Sequence, residues 1–199
     1  MIGRLIRSRP SDPGMEEERG DPTEATLVAA CAKRDGAAMG TLFERHGEAV
    51  HRFLWRLCGG GADVDDLTHA TFLAAFRSAA NFRRGSQVRT WLFGIALNVS
   101  RHHQRGESRR RAFLRAWAEH PKNDGTRPDR LAEGRQLVRR LEDALAALPP
   151  DLRAAYLLCD VEDLRGAEAA EALGIPTGTL GRRLHQARKA LRAAIEGSA

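Results

Sequence analysis

The residues whose chemistry is clearest lie near the C-terminal end of the chain, between Thr177 and Arg192. This segment holds five basic residues and no acidic one. A surface helix ordinarily mixes both signs of charge, because opposite charges four residues apart stabilise it. Arginine binds phosphate oxygens and the edge of guanine, and the amide of Gln186 can bind the edge of adenine. The composition of this segment therefore indicates contact with nucleic acid.

Helical periodicity separates the basic side chains of this segment from its apolar ones. At 100° per residue, one apolar face forms from Leu180, Leu184, Ala187, Leu191 and Ile195. The opposite face carries Arg182, His185, Gln186 and Lys189, flanked by Arg183 and Arg188. A shorter predicted helix, 166–173, precedes it, and the turn between them contains Gly174 and Pro176. This arrangement is typical of a helix-turn-helix, whose second helix enters the major groove of DNA.

A second basic segment lies in the N-terminal half, in a loop predicted between two helices. Arg83, Arg84 and Arg89 surround the polar Ser86 and Gln87. Polar side chains in such a loop can hold an unstacked base while the arginines bind its phosphates. The sequence therefore predicts a contact with single-stranded nucleic acid at this loop.

The helix that follows this loop is predicted over residues 90–103. Trp91 belongs to its apolar stripe and is expected to anchor the core rather than to stack on a base. Arg101 extends the basic surface near the end of the helix. Because the adjacent His102 and His103 point to different sides of a helix, no metal site is predicted there.

Acidic residues gather at the start of the helix that precedes the basic loop. Asp63 is predicted as its N-cap, Asp65 and Asp66 lie in its first turn, and the apolar Leu67 and Phe72 follow. Negative charge at this position complements the helix dipole. The same carboxylates can also bind a basic partner helix, and the residues alone favour neither interpretation.

The overall composition excludes several classes of protein. The chain has 199 residues, of which 32 are basic and 26 acidic, and its net charge is +6. Arginine makes up nearly all of the basic residues, which genome composition can explain, so the position of the charge is more informative than its sum. No apolar run reaches the roughly 18 residues of a membrane span, so no membrane insertion is expected. Three distant cysteines form neither a disulfide framework nor a metal cluster.

The chain divides into four segments. Residues 1–22 combine frequent proline with many charges and are predicted to be a disordered leader, and residues 23–104 form a first helical domain. Gly, Pro and Asn interrupt the pattern in residues 105–130, the predicted linker, and residues 131–199 form the second domain. Strand-like alternation of useful length is absent from the sequence. The predicted fold is all-α, with two small helical domains joined by a flexible linker.

These motifs resemble a family, the extracytoplasmic-function (ECF) sigma factors of the bacterial sigma-70 group. LPPDLRAAYLLCDVEDL, followed by AEALGIPTGTLGRRLHQARKAL, resembles the fourth conserved region, which reads the −35 promoter element. DVDDLTHATFLAAF resembles the segment that docks on core RNA polymerase, and FRRGSQVRTWLFGIALNVSRHHQR resembles the segment that melts and reads the −10 element. Because both halves occur in the family's order and cover about two thirds of the chain, the resemblance is specific.

The resemblance implies a cytoplasmic promoter-specificity subunit with no catalytic residues, no metal and no cofactor. It implies −35 contacts from Thr177, Thr179, Arg182, Arg183, His185, Gln186, Arg188 and Lys189. It implies −10 contacts from Arg83, Arg84, Ser86, Gln87, Arg89, Trp91, Asn98 and Arg101. It assigns docking on core polymerase to Asp63, Asp65, Asp66, Leu67 and Phe72.

The resemblance also implies partners. These are core RNA polymerase, through the clamp coiled coil of its largest subunit and the flap of the second-largest, together with promoter DNA and an anti-sigma factor. The sequence departs from the family where His69 and Ala70 replace a Gln–Glu pair in the docking helix. Gly181, in the recognition helix, is a second departure from the family pattern. Glycine weakens this helix by about 1 kcal/mol relative to Ala.

The residues themselves leave two other functions to consider. A stand-alone helix-turn-helix regulator would bind duplex operator DNA without polymerase. An enzyme is disfavoured, because the sequence has no Gly-rich phosphate loop, no HExxH motif and no nucleophile elbow.

Overall fold

The computed structural model describes residues 22–61, 63–83, 85–117 and 133–196, with backbone alone for 108–117 and 133–139. Within these ranges the chain forms α-helices and no strand, so the all-α prediction is confirmed. The helices are α1 (Glu24–Ala32), α2 (Gly36–Cys58), α3 (Val64–Ser78), α4 (Val88–Trp117), α5 (Glu133–Ala147), α6 (Pro150–Tyr156), α7 (Gly166–Leu173) and α8 (Thr177–Glu196). A 3₁₀ turn, Ala79–Asn81, follows α3, and a π turn, Leu157–Val161, follows α6. The predicted leader up to residue 21, Arg84 and residues 118–130 of the predicted linker lie outside the described residues.

Local sequence sets the ends of α2. Asp35 is its N-cap, and its carboxylate accepts hydrogen bonds from the backbone N–H groups of Ala37 at 2.9 Å and Ala38 at 3.3 Å. Gly59 ends the helix in the left-handed region, with φ of 77°, as the glycine run predicts. Asp63 occupies the N-cap position of α3, but its side chain makes no capping hydrogen bond. Its Oδ2 instead lies 3.2 Å from Nε2 of His103. The predicted N-cap position is confirmed, without a capping hydrogen bond.

The helix α4 continues beyond its predicted end. The sequence predicts an end near His103, whereas α4 runs to Trp117. Gly106, one of the residues that interrupt the pattern after this point, costs only about 1 kcal/mol inside a helix. Arg, Ala and Leu, all good helix formers, follow it before the first proline, so the helix continues.

The N-terminal half is a bundle of α1 to α4. Its apolar faces meet in a core centred on Phe53 of α2 and Phe93 of α4, whose ring centroids lie 4.7 Å apart. Leu42, Leu54 and Leu92 are also fully buried there. This core holds α3 and α4 at fixed positions, so the loop between them is anchored at both ends.

The C-terminal half places α8 across α5 and α6. Leu145 and Leu148 pack against Ala187 and Leu191 of α8 in a small apolar cluster. A tight turn joins α7 to α8, and Gly174 ends α7 with φ of 66°. That conformation disfavours any residue with a side chain, so the predicted role of Gly174 in the helix-turn-helix is confirmed.

The two halves pack against each other. One continuous apolar core extends from Leu27 of α1 to Leu180 of α8 and includes Leu157 and Leu158 of the π turn. Where α4 crosses α7, a Cβ placed on Gly94 would lie 3.3 Å from the backbone oxygen of Ala172. The sequence pattern predicts a tether between the halves, and nothing in it predicts this shared core.

Replacing Gly174 with Ala should lower the free energy of unfolding by about 1–2 kcal/mol, because alanine is strained in the left-handed region. Replacing Gly181 with Ala should raise it by about 1 kcal/mol, because Gly181 lies inside α8 with open space around it. Chemical denaturation of the two variants measures both changes in the free energy of unfolding. Unchanged or increased stability of Gly174→Ala would contradict the assignment of the turn.

Candidate nucleic-acid interface

The recognition helix α8 presents its polar face to solvent. Arg182, His185, Gln186 and Lys189 are exposed, and Thr177 is exposed at its start. The opposite face is buried as predicted at Leu180, Ala187 and Leu191. Leu184 is half-buried, and Ile195 is 38 % exposed near the end of the helix, beyond the helices that cover the rest of the apolar face. Thr179 is half-buried.

Two of the predicted −35 residues are engaged within the C-terminal half. Arg183 donates from Nη2 to Oδ2 of Asp151 at 2.7 Å. Arg188 donates from Nε and Nη2 to both carboxylate oxygens of Asp160, at 2.8 and 2.6 Å. Hydrogen bonding to Asp160 raises the pKa of the Arg188 guanidinium further above its ordinary value. These two arginines attach α8 to α6 and to the π turn that follows it.

The loop between α3 and α4 borders a pocket of about 330 Å³. Its lining combines polar side chains of the loop and of α4 with an aromatic pair, Phe82 and Trp91, whose ring centroids lie 5.1 Å apart at an edge-on angle. The predicted −10 residues Arg83, Ser86 and Asn98 line it as well. Trp91 is half-buried and packs against the core, in agreement with the expected anchoring role, yet it also forms part of the pocket wall.

Acidic residues of the C-terminal half contact the predicted −10 loop. Ser86 Oγ donates to Glu171 at 3.2 Å, and Gln87 Nε2 donates to Glu168 at 3.4 Å. Arg89 forms a hydrogen-bonded ion pair with Glu162. No local pattern relates these glutamates to the loop, because each lies more than 70 residues away along the chain.

Arg101 belongs to the same junction between the halves. Its Nη2 lies 3.5 Å from Oδ1 of Asp151, the carboxylate that also accepts from Arg183. One aspartate of the C-terminal half thus joins a predicted −10 residue to a predicted −35 residue.

The acidic end of α3 lies beside an exposed aromatic and apolar surface. Asp65 Oδ1 is 3.0 Å from Nε2 of His51, and Asp66 is exposed. Phe43 and Leu73 are 38 % and 56 % exposed, and His69 stacks on Phe43 with ring centroids 6.0 Å apart. Periodicity alone does not separate these exposed apolar residues from core residues, so the sequence does not reveal this surface.

Two of the predicted docking residues are buried in this structure. Leu67 is 5 % and Phe72 4 % exposed, and the Phe72 ring packs edge-on against Phe43 of α2. Their place on the inner face of α3 means that they hold α3 against α2.

The three cysteines are free. Burial raises the pKa of the Cys31, Cys58 and Cys159 thiols. Among the residues that the structure describes, His, Cys, Asp and Glu form no group of three that could hold a metal ion. None of the described helices is long and apolar enough to cross a membrane.

Comparison with known proteins identifies both halves. Residues 42–110 match the family model for sigma-70 region 2, and residues 138–191 match that for sigma-70, region 4. The ECF RNA polymerase sigma factor SigE of Mycolicibacterium smegmatis is 34 % identical over 187 residues, covering 92 % of this chain and 71 % of that protein. The chain belongs to the ECF sigma factors.

Further matches agree with this membership. The ECF RNA polymerase sigma factor SigC of Mycobacterium tuberculosis is 34 % identical over 182 residues, covering 88 % of this sigma factor and 93 % of SigC. The fold resembles that of CnrH in complex with the cytosolic domain of CnrY, with a TM-score of 0.65 and 24 % identity over 88 % of this chain and 99 % of that one. RpoE of Bartonella quintana, in complex with the anti-sigma factor NepR, gives a TM-score of 0.64 at 23 % identity, covering 79 % and 96 %.

The protein is therefore a sigma factor that acts in transcription initiation and binds DNA and RNA polymerase. This membership supports the interpretation from the sequence motifs. The interpretation as a stand-alone regulator is not supported by these matches.

Proposed function

We propose that α8 reads the −35 element, that the loop after α3 and the start of α4 capture the melted −10 strand, and that α2 and α3 dock on core RNA polymerase. The observation that carries this proposal is the exposed polar face of α8. This face remains free of acidic residues while the apolar face is buried. A helix-turn-helix with such a face can bind phosphates and base edges in the major groove.

The residues predicted to contact the −35 element differ in whether their side chains are exposed or already bound to a carboxylate. Arg182 and Gln186 are exposed on the outer face, where bidentate contacts to guanine and adenine are possible. Arg183 and Arg188 already bind carboxylates and position the helix. We therefore assign base reading to Arg182 and Gln186, and phosphate contact to Lys189.

The −10 contacts are supported by the pocket beside Trp91. Its volume of about 330 Å³ is ample for one nucleobase. The ring edges of Phe82 and Trp91 offer an apolar wall, and the hydroxyl of Ser86 and the amide of Asn98 offer hydrogen bonds to a base edge. Arg83, exposed on the loop, is placed to bind the adjacent phosphate.

Docking on core polymerase is assigned to the surface formed by Phe43, Asp65, Asp66, His69 and Leu73. Exposed carboxylates beside exposed apolar side chains suit a partner helix that carries both basic and apolar residues. The clamp coiled coil of the largest polymerase subunit is the proposed partner. At the position of the family's Gln–Glu pair, His69 stacks on Phe43, which gives this surface an aromatic contact instead of an acidic one.

An anti-sigma factor is the proposed regulatory partner. RpoE of Bartonella quintana, similar to this chain in fold, is solved in complex with the anti-sigma factor NepR. The test of the whole proposal is reconstitution of this chain with bacterial core RNA polymerase. Promoter-dependent transcripts are expected, and tight binding to duplex DNA without any complex with core would contradict the proposal.

Replacing Arg182 with Ala should weaken binding to the preferred −35 sequence by about 1–3 kcal/mol and relax discrimination at one position. Arg192→Ala is the matched control, because Arg192 is exposed on α8 nearer the end of the helix. It should weaken binding to every sequence alike and reduce the salt dependence. Binding of the holoenzyme to a library of −35 sequences measures both. Identical effects of the two variants would remove the base-reading role of Arg182.

Replacing Leu73 with Asp should reduce the affinity for core polymerase at least tenfold, since it places a charge in an apolar contact. Ile195→Asp is the control, because Ile195 is a similarly exposed apolar residue in the C-terminal half. It should leave core binding unchanged. Titration of labelled core polymerase with each variant is the measurement. If both bind core like the original chain, the docking surface lies elsewhere.

A further inference from the structure

We propose that two histidines, His51 and His69, make docking on core RNA polymerase sensitive to pH. Both line a groove between α2 and α3 that receives a basic side chain of the polymerase. Protonated histidines repel that side chain, so docking weakens as the pH falls. The inference rests on the proposed function, which assigns docking to this face of the molecule, and it adds a means by which the contact is regulated.

The groove is a hollow of about 320 Å³ within the docking surface. The carboxylates of Glu44 and Glu48 on α2 and of Asp65 on α3 line it, together with the ring of Phe43. Guanidinium and ammonium groups bind both carboxylates and aromatic faces. The occupant that fits this lining is therefore an arginine or lysine side chain of the partner.

Each histidine stacks on an aromatic ring beside the groove. His69 lies on Phe43, with ring centroids 6.0 Å apart and ring planes 4° apart. His51 lies on Trp55, with centroids 6.5 Å apart and planes 22° apart. Trp55 is 50 % exposed, so this second stack faces solvent. The two stacks hold both imidazole rings where a partner would meet them.

His51 also contacts a carboxylate that is assigned to the partner. Its Nε2 lies 3.0 Å from Oδ1 of Asp65, and their side chains are 39 % and 78 % exposed. Solvent therefore reaches both groups, and the imidazole can gain a proton without unfolding of the bundle. The resulting cation forms an ion pair with Asp65 and competes with the cation of the partner for the same oxygens.

The other charged groups around the two histidines come from three helices. They are Glu44, Glu48 and Arg52 of α2, Asp63, Asp65 and Asp66 of α3, and His103 of α4. Arg52 forms an ion pair with Glu48, and His103 lies 3.2 Å from Asp63 outside the groove. Carboxylates and guanidinium groups ordinarily keep their charge between about pH 5.5 and 7.5. Imidazole does not, so the histidines set how the charge of the groove changes in this range.

The direction of the effect follows from this set of charges. With neutral imidazole rings the three carboxylates of the groove attract a cation, and two imidazolium groups offset most of that attraction. The effect belongs to this chain, because His69 and Ala70 stand where the family has a Gln–Glu pair. Neither glutamine nor glutamate ordinarily changes its charge in this range.

The first test titrates fluorescently labelled core RNA polymerase with the full-length chain at about pH 7.5 and about pH 5.5. On acidification the dissociation constant of the original chain should rise about tenfold more than that of the double variant His51→Gln, His69→Phe. Glutamine keeps an amide donor for Asp65, and phenylalanine keeps a ring against Phe43, yet neither takes up a proton. Comparison of the two chains at each pH removes the titration of the polymerase itself.

His102→Gln is the matched control for this test. His102 is exposed on α4 and does not line the groove, so its variant should keep the full pH dependence of the original chain. Equal pH dependence in the original chain, the double variant and the control would overturn the inference. So would tighter docking of the original chain than of the double variant at acidic pH.

The second test needs no acidic buffer, so it stays decisive if any chain loses stability at low pH. His51→Arg places a permanent positive charge beside the groove, and at about pH 7.5 it should weaken core binding about tenfold. His102→Arg adds the same charge on α4 and should leave core binding unchanged. Core binding of His51→Arg equal to that of the original chain would show that charge at this position has no effect on docking.

The variant Leu73→Asp separates failure of this inference from failure of the proposed docking surface. If Leu73→Asp loses core binding while the double histidine variant keeps the pH dependence of the original chain, the docking surface stands and the histidine inference falls. If Leu73→Asp binds core normally while the double variant loses the pH dependence, the groove contacts the polymerase and Leu73 lies outside the contact.

Discussion

The arrangement of the two halves depends on one buried guanidinium. Arg153 of α6 is 9 % exposed and donates to the backbone oxygen of Leu57 at 2.8 Å, to that of Leu148 at 3.0 Å and to that of Ala146. These carbonyls belong to the ends of α2 and α5, where a helix leaves oxygens without intrahelical donors and carries partial negative charge. Burial lowers the pKa of Arg153, and arginine nevertheless stays charged in proteins. A single cation thus joins helices of both halves.

That junction decides which functional surfaces are open. With α6 held on the end of α2, α7 lies over α4 and the acidic side chains after α6 meet the basic loop after α3. The outer face of α8 and the exposed side of α3 point to solvent. The packing of the halves therefore pairs the arginine at the start of α4 with a carboxylate and leaves the polar face of α8 exposed.

Most of the local structure could be predicted from the sequence. The apolar spacing of α2 and α8, the left-handed Gly59 and Gly174, and the helix-turn-helix are local properties, and the structure confirms them. The end of α4 could not be predicted in this way, because one glycine costs too little to stop a helix of good formers. Asp63 is the N-cap of α3 as predicted, but its carboxylate lies beside a histidine 40 residues away, which the local sequence does not reveal.

The all-α fold and the charge of each helix face follow from periodicity and residue type alone, whereas the family follows from the resemblance of the quoted motifs. Which of the charged side chains are paired depends on how distant segments pack. Arg182 and Arg183 are neighbours with the same chemistry, yet of these two only Arg183 binds Asp151. Arg89 and Glu162 are 73 residues apart, and their ion pair depends on how the halves pack. Such pairs arise from contacts between distant segments, which a local pattern of residues does not encode.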